Sequence, residues 1–194
     1  MSTEIGRVVG PTILLGSGTY YDFESPETSQ ITIEDIAWGL AGASRFAGQT
    51  WSRVLKRRVL YSTAQHCVLM SKEAPRGLEL AALMHEAGEP VCGDMVGPLK
   101  KLLPEYKAIE KRCERANLAH FGITISDPAA IKALDLRMLA TEQRDLMNWH
   151  GEEWAWTEGA APFDHLTIVP WPPEIAAQRF IDRYEELTVD RTVH

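Results

Sequence analysis

The chain has 194 residues, of which 45% are hydrophobic and 24% are charged, and its formal net charge is −7. This length suits one domain with a sizeable core, and the composition is ordinary for a soluble globular protein. An acidic chain without a basic block is a poor match for a surface that wraps duplex nucleic acid. A local pocket of Arg and metal can nevertheless oppose the global sign and bind a small anion.

The cysteines and the hydropathy of the chain indicate the cellular compartment in which the protein is expected. Three widely spaced cysteines without a CxxC pair argue against a zinc ribbon or a disulfide framework and favour a reducing environment. The N-terminus lacks the cationic start and long apolar core of a signal peptide. No run of about eighteen apolar residues is present to span a membrane. We therefore expect a cytoplasmic protein without a membrane partner.

The first half of the chain predicts an arm followed by helices. Residues 1–30 alternate β-branched runs with Gly and Pro, which predicts a short hairpin or an extended arm. Thr32 as N-cap and Asp35 three residues later predict a capping box, with a helix running to about Phe46. The segment 48–58, which carries a basic cluster, is interpreted as a loop. A second helix is predicted from Ser62 or Thr63 to residue 74, and a third, largely apolar and central, covers 78–87.

The second half predicts three longer helices. The first of these begins at 103–105 and ends at Gly122, and the next begins at Asp127. Residues 149–171 are interpreted as an ordered surface segment whose Trp rings pack rather than bind. The last helix covers 172–187, and residues 188–194 form a frayed tail. The inward-facing positions predicted for the first and last of these helices include Tyr106, Ile109, Cys113, His120, Ile175 and Phe180. The prediction is an all-α fold in one domain, with an arm at 1–30, a helical bundle at 31–187 and the tail.

The stretch 83–100, LMHEAGEPVCGDMVGPLK, combines one His, several carboxylates and many helix breakers. Its composition predicts that a helix end runs into a tight loop. Such a cluster can seat a divalent cation and a catalytic acid together. A solvated helix end followed by a turn is an equally simple interpretation.

A metal site needs ligands from several elements, because one helix cannot surround an ion. The candidates in chain order are His66, the pair His85-Glu86 and Asp135. Asp135 is flanked by Leu134 and Leu136 in a helix, so if it is buried it requires a metal or a basic partner. The alternatives are a buried neutral imidazole at His66 and a partly exposed carboxylate at Asp135.

These residues in this order resemble the HD-domain metal-dependent phosphohydrolases. The resemblance is closer to their 5′-deoxynucleotidase branch and to phage-encoded deoxynucleotide (dATP) triphosphohydrolases. That branch carries an Arg-aromatic pair before the first His, a Glu four residues after the second His and an Asp nine residues after it. These positions are Arg45-Phe46, Glu89 and Asp94 here. The resemblance extends to the segments GSGTYYDF, ITIEDIAWGLAGASRFAGQT, YSTAQHCVLMS, GDMVGPLKKLLPEYKAIE and LATEQRDLM, and so covers the chain to about residue 148.

The resemblance implies an HD-domain helical bundle that hydrolyses deoxynucleotides, either releasing phosphate from monophosphates or cleaving triphosphates. It implies one divalent ion (Co, Mn, Zn or Mg) held by His66, His85, Glu86 and Asp135. Glu89 becomes the general acid/base, and Asp94 orients water or sugar. Phosphate binding falls to Arg45 and Lys100. Phe46 or Trp51 lies against the base or sugar, and the equal alternatives are a core position for Phe46 and a surface position for Trp51. It further implies a homo-oligomer and allows a phage protein acting in a host cytoplasm.

One departure from the family pattern concerns the acid after the second His, which is Asp in the family and Glu86 here. Glu is one methylene longer, so its oxygens reach further and one more torsion must be fixed. The alternative function is therefore a catalytically weakened HD fold kept as a nucleotide-binding or interaction module. The number of phosphates also stays open, because the basic cluster at 53–58 is either an ordinary solvated turn or a source of cations for a triphosphate.

Overall fold

The computed structural model describes residues 10–152 and 154–189, and the architecture within them is mostly helical with two small antiparallel hairpins. The strands are β1 (Thr12–Leu14), β2 (Tyr20–Asp22), β3 (Thr50–Ser52) and β4 (Arg57–Val59). The helices are α1 (Ile33–Gly42), α2 (Thr63–Glu73), α3 (Glu79–Met84), α4 (Glu89–Cys92), α5 (Gly97–Lys100), α6 (Pro104–His120), α7 (Pro128–Leu146) and α8 (Pro173–Val189). Within these residues, no helix combines the length and the apolarity needed to cross a bilayer.

The β1–β2 hairpin forms the described part of the predicted arm, and it packs on the helices. Tyr21 is fully buried, and its hydroxyl donates a 2.9 Å hydrogen bond to Asn117 Oδ1 on α6. Asn117 in turn donates through Nδ2 to the Ala87 carbonyl at 2.7 Å. The arm thus braces the turn between α3 and α4. Residues 1–9 of the predicted arm lie outside the described part.

Helix α1 begins as predicted but ends early. The Thr32 hydroxyl accepts from the Asp35 amide, and the Asp35 carboxylate accepts from the Thr32 amide, which completes the capping box. The predicted continuation to Phe46 is wrong, because the backbone turns extended at Ala43 and Ser44 bridges Ser62. Backbone hydrogen bonds between residues 43–45 and residues 61–63 occupy amide and carbonyl groups that another turn of helix would have used.

The segment predicted as a loop at 48–58 is a β-hairpin. Strands β3 and β4 pair antiparallel, with Trp51 opposite Arg58. This basic segment has few turn-forming residues and little alternation of apolar and polar residues, so the sequence does not indicate its strands. The pairing depends on the turn at Lys56, whose φ of 51° is left-handed. The hairpin in the arm was one of the two predicted forms, so the all-α prediction needs correction only at this second hairpin.

Helix α2 lies at the centre and contacts α1, α3, α7 and α8. One apolar cluster fills the space between α1, α2, α3, α6 and α8, with Phe180 fully buried in it. A second cluster joins α2 and α3 to α7, with Met138 and Leu146 fully buried. Each fully buried large side chain contributes about 1.5–3 kcal/mol of transfer free energy. Polar groups on α2 and α7 consequently lie between two packed cores.

Three smaller predictions about helix faces and ends need correction. Ile109 and His120 are exposed on α6, whereas Glu110 is buried there. Ile175, predicted to point inward, is 44% exposed on α8. These shifts reflect which neighbour each helix packs against, which the periodicity does not specify. Helix α8 also includes residues 188 and 189 of the predicted tail, and the remainder of the tail lies outside the described residues.

Candidate metal centre

Three side chains from three separate segments converge between the two cores. His66 comes from the buried helix α2, His85 follows the last residue of α3, and Asp135 comes from α7. His66 Nε2 lies 3.3 Å from His85 Nε2 and 3.6 Å from Asp135 Oδ1. One ligand atom from each of the three lies within 4.8 Å of the other two. The cluster has the composition and the spacing of a metal site.

The outer nitrogens of the two imidazoles are both occupied by acceptors. His66 Nδ1 lies 2.6 Å from Glu142 Oε1, and His85 Nδ1 lies 2.8 Å from the Ala82 carbonyl oxygen. Although burial acts in the opposite direction, Arg45 and His66 lower the pKa of Glu142, so its carboxylate is an acceptor. Each Nδ1 therefore donates a proton when its ring is neutral, and each Nε2 presents a lone pair to the other. A cation between them relieves this repulsion.

The separation of the two nitrogens fits such a cation. Ligands at about 2.0–2.1 Å from one tetrahedral ion lie about 3.3 Å from each other. In the absence of a metal, a proton can take the same place. Although burial acts against it, the Glu86 carboxylate and the Cys67 thiol raise the pKa of His85 well above its usual value. Two imidazoles and a carboxylate also leave a coordination position for water or substrate.

Glu86 lies beside the cluster rather than within it. Its Oε1 is 3.4 Å from His85 Nε2, and its side chain is 24% exposed toward the cavity. Burial opposes ionisation, but His85 and Arg45 lower the pKa of Glu86, which keeps the carboxylate charged. The position is compatible with a fourth ligand, and this role stays a prediction.

Asp135 has the partners that its helical position required. Its Oδ1 faces His66, and its Oδ2 accepts a 3.1 Å bond from Lys132 one turn earlier. The side chain is 21% exposed, so the carboxylate faces the cavity instead of the core. Burial acts to raise the pKa of Asp135, but the opposing effect of His66, His85 and Arg45 is larger. The pKa is therefore lowered overall, and the carboxylate is ionised.

A cavity of about 560 Å³ opens onto the cluster, which is a volume suited to a small organic ligand. Its polar wall carries both signs of charge, and its apolar wall is rich in aromatic rings. The lining residues are Arg45, Phe46, Glu86, Glu89, Asp94, Met95, Val96, Gly97, Pro98, Lys100, Lys132, Asp135, Leu139, Trp154 and Trp156.

Arg45 reaches the cavity from a strained turn. The two residues after it, Phe46 and Ala47, have left-handed φ values of 56° and 52°, which non-glycine residues adopt at a cost of roughly 1 kcal/mol each. Arg45 donates from Nη2 and Nε to Glu142 Oε2 at 2.9 and 3.2 Å. The turn thus presents Arg45 and Phe46 to the cavity side by side.

Glu89 is the most deeply buried carboxylate of the cavity wall. It is 3% exposed, and its Oε2 has no hydrogen-bond partner among the described residues. Burial and the nearby carboxylates of Glu86 and Asp94 raise the pKa of Glu89 well above its usual value. Burial likewise raises the pKa of Asp94, although Arg45 acts against this. Glu89 therefore tends to hold a proton that it can donate.

Lys100 connects this wall to α6. Its ammonium group lies 2.7 Å from Glu110 Oε1 and 3.7 Å from Glu89 Oε1. Although burial acts against it, the bond to Glu110 raises the pKa of Lys100. The ammonium group is therefore charged and lies at the edge of the cavity.

Trp51 and the basic cluster do not line the cavity. Trp51 is 37% exposed on the β3–β4 hairpin. Arg53 donates to the Trp149 carbonyl at 3.0 Å and stacks over the Trp149 ring. The aromatic rings that do line the cavity next to Phe46 are Trp154 and Trp156, from the segment interpreted as packing only. Their placement depends on how a loop folds back, which local sequence does not reveal.

Sequence reasoning also missed Glu142, whose side chain is fully buried. The available signal was its position seven residues after Asp135, which puts both carboxylates on one face of a helix. A Glu flanked by Thr141 and Gln143 gave no apolar context to mark it as buried.

The fold and the site define a mostly helical protein with a candidate metal centre. No protein-family model matches the chain. It is 35% identical to the uncharacterized protein YfdR of Escherichia coli (strain K12) over 172 residues, which are 89% of this chain and 93% of YfdR. It is also 37% identical to an uncharacterized protein of Rhodobacter capsulatus over 124 residues, 60% of this chain and 61% of that protein. The chain belongs to the family that includes YfdR.

Proposed function

We propose that this protein is a divalent-metal-dependent phosphohydrolase of the HD-domain type that acts on deoxynucleotides. The observation that carries the proposal is the convergence of His66, His85 and Asp135 at a cavity that also contains Arg45. Two imidazoles and a carboxylate suit a hydrolytic metal centre, and a guanidinium nearby suits a phosphate. The order of these residues along the chain is the order that the HD-domain resemblance implies.

A divalent ion held by these residues would lower the pKa of a water molecule and neutralise charge on a phosphate oxygen. Arg45 binds and orients the phosphate through its planar fork. Glu89 donates a proton to the leaving oxygen, because burial and the Glu86 and Asp94 carboxylates raise its pKa and so favour its protonated form. Asp94 orients water or sugar at the same wall, and Lys100 supplies a second positive charge.

The cations of the cavity favour a substrate with one phosphate. Those among the described lining residues are Arg45, Lys100 and Lys132, and each has a carboxylate partner. The basic cluster at 53–58, which a triphosphate would need, is outside the lining and partly engaged by Trp149. We therefore propose phosphate release from deoxynucleoside monophosphates ahead of triphosphate hydrolysis.

The test is phosphate, pyrophosphate and triphosphate release from deoxynucleoside mono- and triphosphates and their ribose counterparts. Chelator-stripped protein is supplied in turn with Co²⁺, Mn²⁺, Zn²⁺ and Mg²⁺. We expect metal-dependent phosphate release from deoxynucleoside monophosphates, and its loss in Asp135→Asn. Asp182→Asn on the exposed face of α8 is the matched control and should keep full activity.

Two results would contradict the proposal in different ways. Release of triphosphate from a deoxynucleoside triphosphate would support the assignment as a phosphohydrolase but show that the substrate is a triphosphate. No release with any metal, from a folded protein that binds nucleotide, would replace the enzyme by the nucleotide-binding module that the Glu86 substitution allows.

A further inference from the structure

We infer that Glu142 is a positioning residue that holds the imidazole of His66 and the guanidinium of Arg45 with the two oxygens of one carboxylate. The inference rests on the proposed function, because it assigns His66 to the metal and Arg45 to the phosphate. The Glu142 side chain is fully buried on α7 and does not line the cavity. It therefore acts through the side chains that it contacts, which include His66 and Arg45.

The two oxygens have separate partners. Oε1 lies 2.6 Å from His66 Nδ1. Oε2 accepts from Arg45 Nη2 and Nε at 2.9 and 3.2 Å. A fully buried carboxylate with a cationic partner on one oxygen and an imidazole on the other has a firm orientation, because any rotation breaks charge-assisted bonds in a low-dielectric environment.

The bond to His66 determines which nitrogen faces the metal. A proton on Nδ1, held by Glu142, leaves the lone pair on Nε2 and directs it toward His85 and Asp135. A carboxylate behind an imidazole also makes the ligating nitrogen more basic, and loss of such a partner typically lowers metal affinity about 10–100-fold.

The bond to Arg45 offsets a positive charge that would otherwise oppose the metal. The Arg45 side chain is 11% exposed and projects from the left-handed turn at Phe46. The Glu142 carboxylate neutralises much of the positive charge of Arg45, which lies beside the cluster. Without Glu142, the buried guanidinium repels a divalent ion and loses the contact that sets its orientation. One carboxylate thus links metal affinity to phosphate binding.

The experiment is a calorimetric titration of chelator-stripped protein with Co²⁺ in the absence of nucleotide. We expect Glu142→Gln to lower Co²⁺ affinity about 10–100-fold relative to the unmodified chain. Asp145→Asn is the matched control, since Asp145 is also a buried α7 carboxylate that bonds an arginine, Arg144. It should lower thermal stability while Co²⁺ affinity stays unchanged.

Two further variants separate positioning from a purely structural role. In the Arg45→Met, Glu142→Gln double variant the unpaired cation is gone, so part of the lost Co²⁺ affinity should return. Glu142→Asp keeps the charge but is one methylene too short to reach both partners, and its affinity should fall between the unmodified chain and Glu142→Gln. The Asp variant also keeps the test valid should Glu142→Gln not fold.

The outcomes distinguish this inference from the proposed function. Unchanged Co²⁺ affinity in Glu142→Gln or in Glu142→Asp overturns the positioning role, even if the unmodified chain hydrolyses nucleotides. Equal losses in Glu142→Gln and in the double variant overturn the link through Arg45. If the chain and its variants bind Co²⁺ in the expected pattern but hydrolyse no nucleotide, the positioning role of Glu142 stands and the proposed activity is wrong. A chain that binds no divalent ion removes both.

Discussion

Asp135 and Glu142 lie seven residues apart on α7, and their carboxylates reach opposite nitrogens of the same imidazole. Asp135 Oδ1 is 3.6 Å from His66 Nε2, and Glu142 Oε1 is 2.6 Å from His66 Nδ1. Seven residues are nearly two helical turns, so both side chains emerge from one face. Helix α7 therefore supplies Asp135 as one candidate metal ligand, and it also supplies Glu142, the carboxylate that bonds the far nitrogen of a second candidate ligand, His66.

Substitution of Asp135 by Asn should remove metal binding and leave the fold intact. The charge that offsets the ion is lost, but the side chain is partly exposed, so little core packing changes. We expect Co²⁺ affinity to fall by more than the roughly 10–100-fold typical of an outer partner. Equilibrium dialysis and circular dichroism measure the two effects. Stoichiometric metal in the variant would exclude Asp135 from the ligands.

Shortening Glu86 to Asp should preserve or raise hydrolysis. Glu86 Oε1 lies 3.4 Å from His85 Nε2, and Asp is the acid that the HD-domain resemblance implies at this position. Metal affinity and kcat with deoxynucleoside monophosphates are the measurements. A complete loss of both would mean that the site is built around the longer side chain.

Glu89→Gln should abolish hydrolysis and make the folded chain more stable at alkaline pH. Burial and the Glu86 and Asp94 carboxylates raise the pKa of Glu89. Its contribution to stability is therefore full below the unfolded pKa of about 4.3 and is lost as pH rises through the higher folded pKa. Gln stays neutral throughout, so the stability of the variant relative to the unmodified chain should increase as the pH rises above about 4.3.

Urea unfolding at several pH values measures that gain, with phosphate release measured alongside. Glu24→Gln, at an exposed position after β2, is the control for the substitution itself. A Glu89→Gln variant that is less stable than the unmodified chain at about pH 8 would contradict a proton-holding Glu89.

Trp154→Ala should raise the KM for nucleotides while metal affinity stays unchanged. Trp154 lines the cavity beside Phe46, with ring centroids 6.2 Å apart at 53°, so the rings do not stack on each other. Loss of a base-stacking partner typically costs about 1–3 kcal/mol, which corresponds to about fivefold or more in KM. Trp38→Ala, exposed on α1, should leave KM unchanged. An unchanged KM in Trp154→Ala would remove this ring from the substrate contacts.

Gly39→Ala should destabilise the chain and impair the site together. A Cβ at Gly39 would lie 2.7 Å from Pro90 Cβ, so α1 and α4 must separate. Overpacking of this kind costs about 1–3 kcal/mol, and α4 carries Glu89. Gly42→Ala in the same helix has no atom within 4 Å and should be neutral or gain up to about 1 kcal/mol. Equal thermal shifts in the two variants would contradict the close α1–α4 contact.

Local chemistry in the sequence accounts for most of the helices and their starts. The capping box at Thr32, the cap at Ser62 and the Asp127-Pro128 step involve neighbouring residues, and each was predicted correctly because capping depends on the nearest backbone amides. The grouping of His66, His85 and Asp135 was also foreseen, because side chains able to bind a metal are few in type and these three stood in an informative order.

Tertiary structure alone decided what lies around those three side chains. Glu142 bonds Arg45 across 97 residues and His66 across 76, and the early end of α1 depends on Ser62, eighteen residues beyond Ser44. Trp154 rather than Trp51 reaches the cavity because the segment after α7 folds back over it. Such contacts depend on how packed elements meet in space, and neither propensity nor periodicity along the chain contains that information.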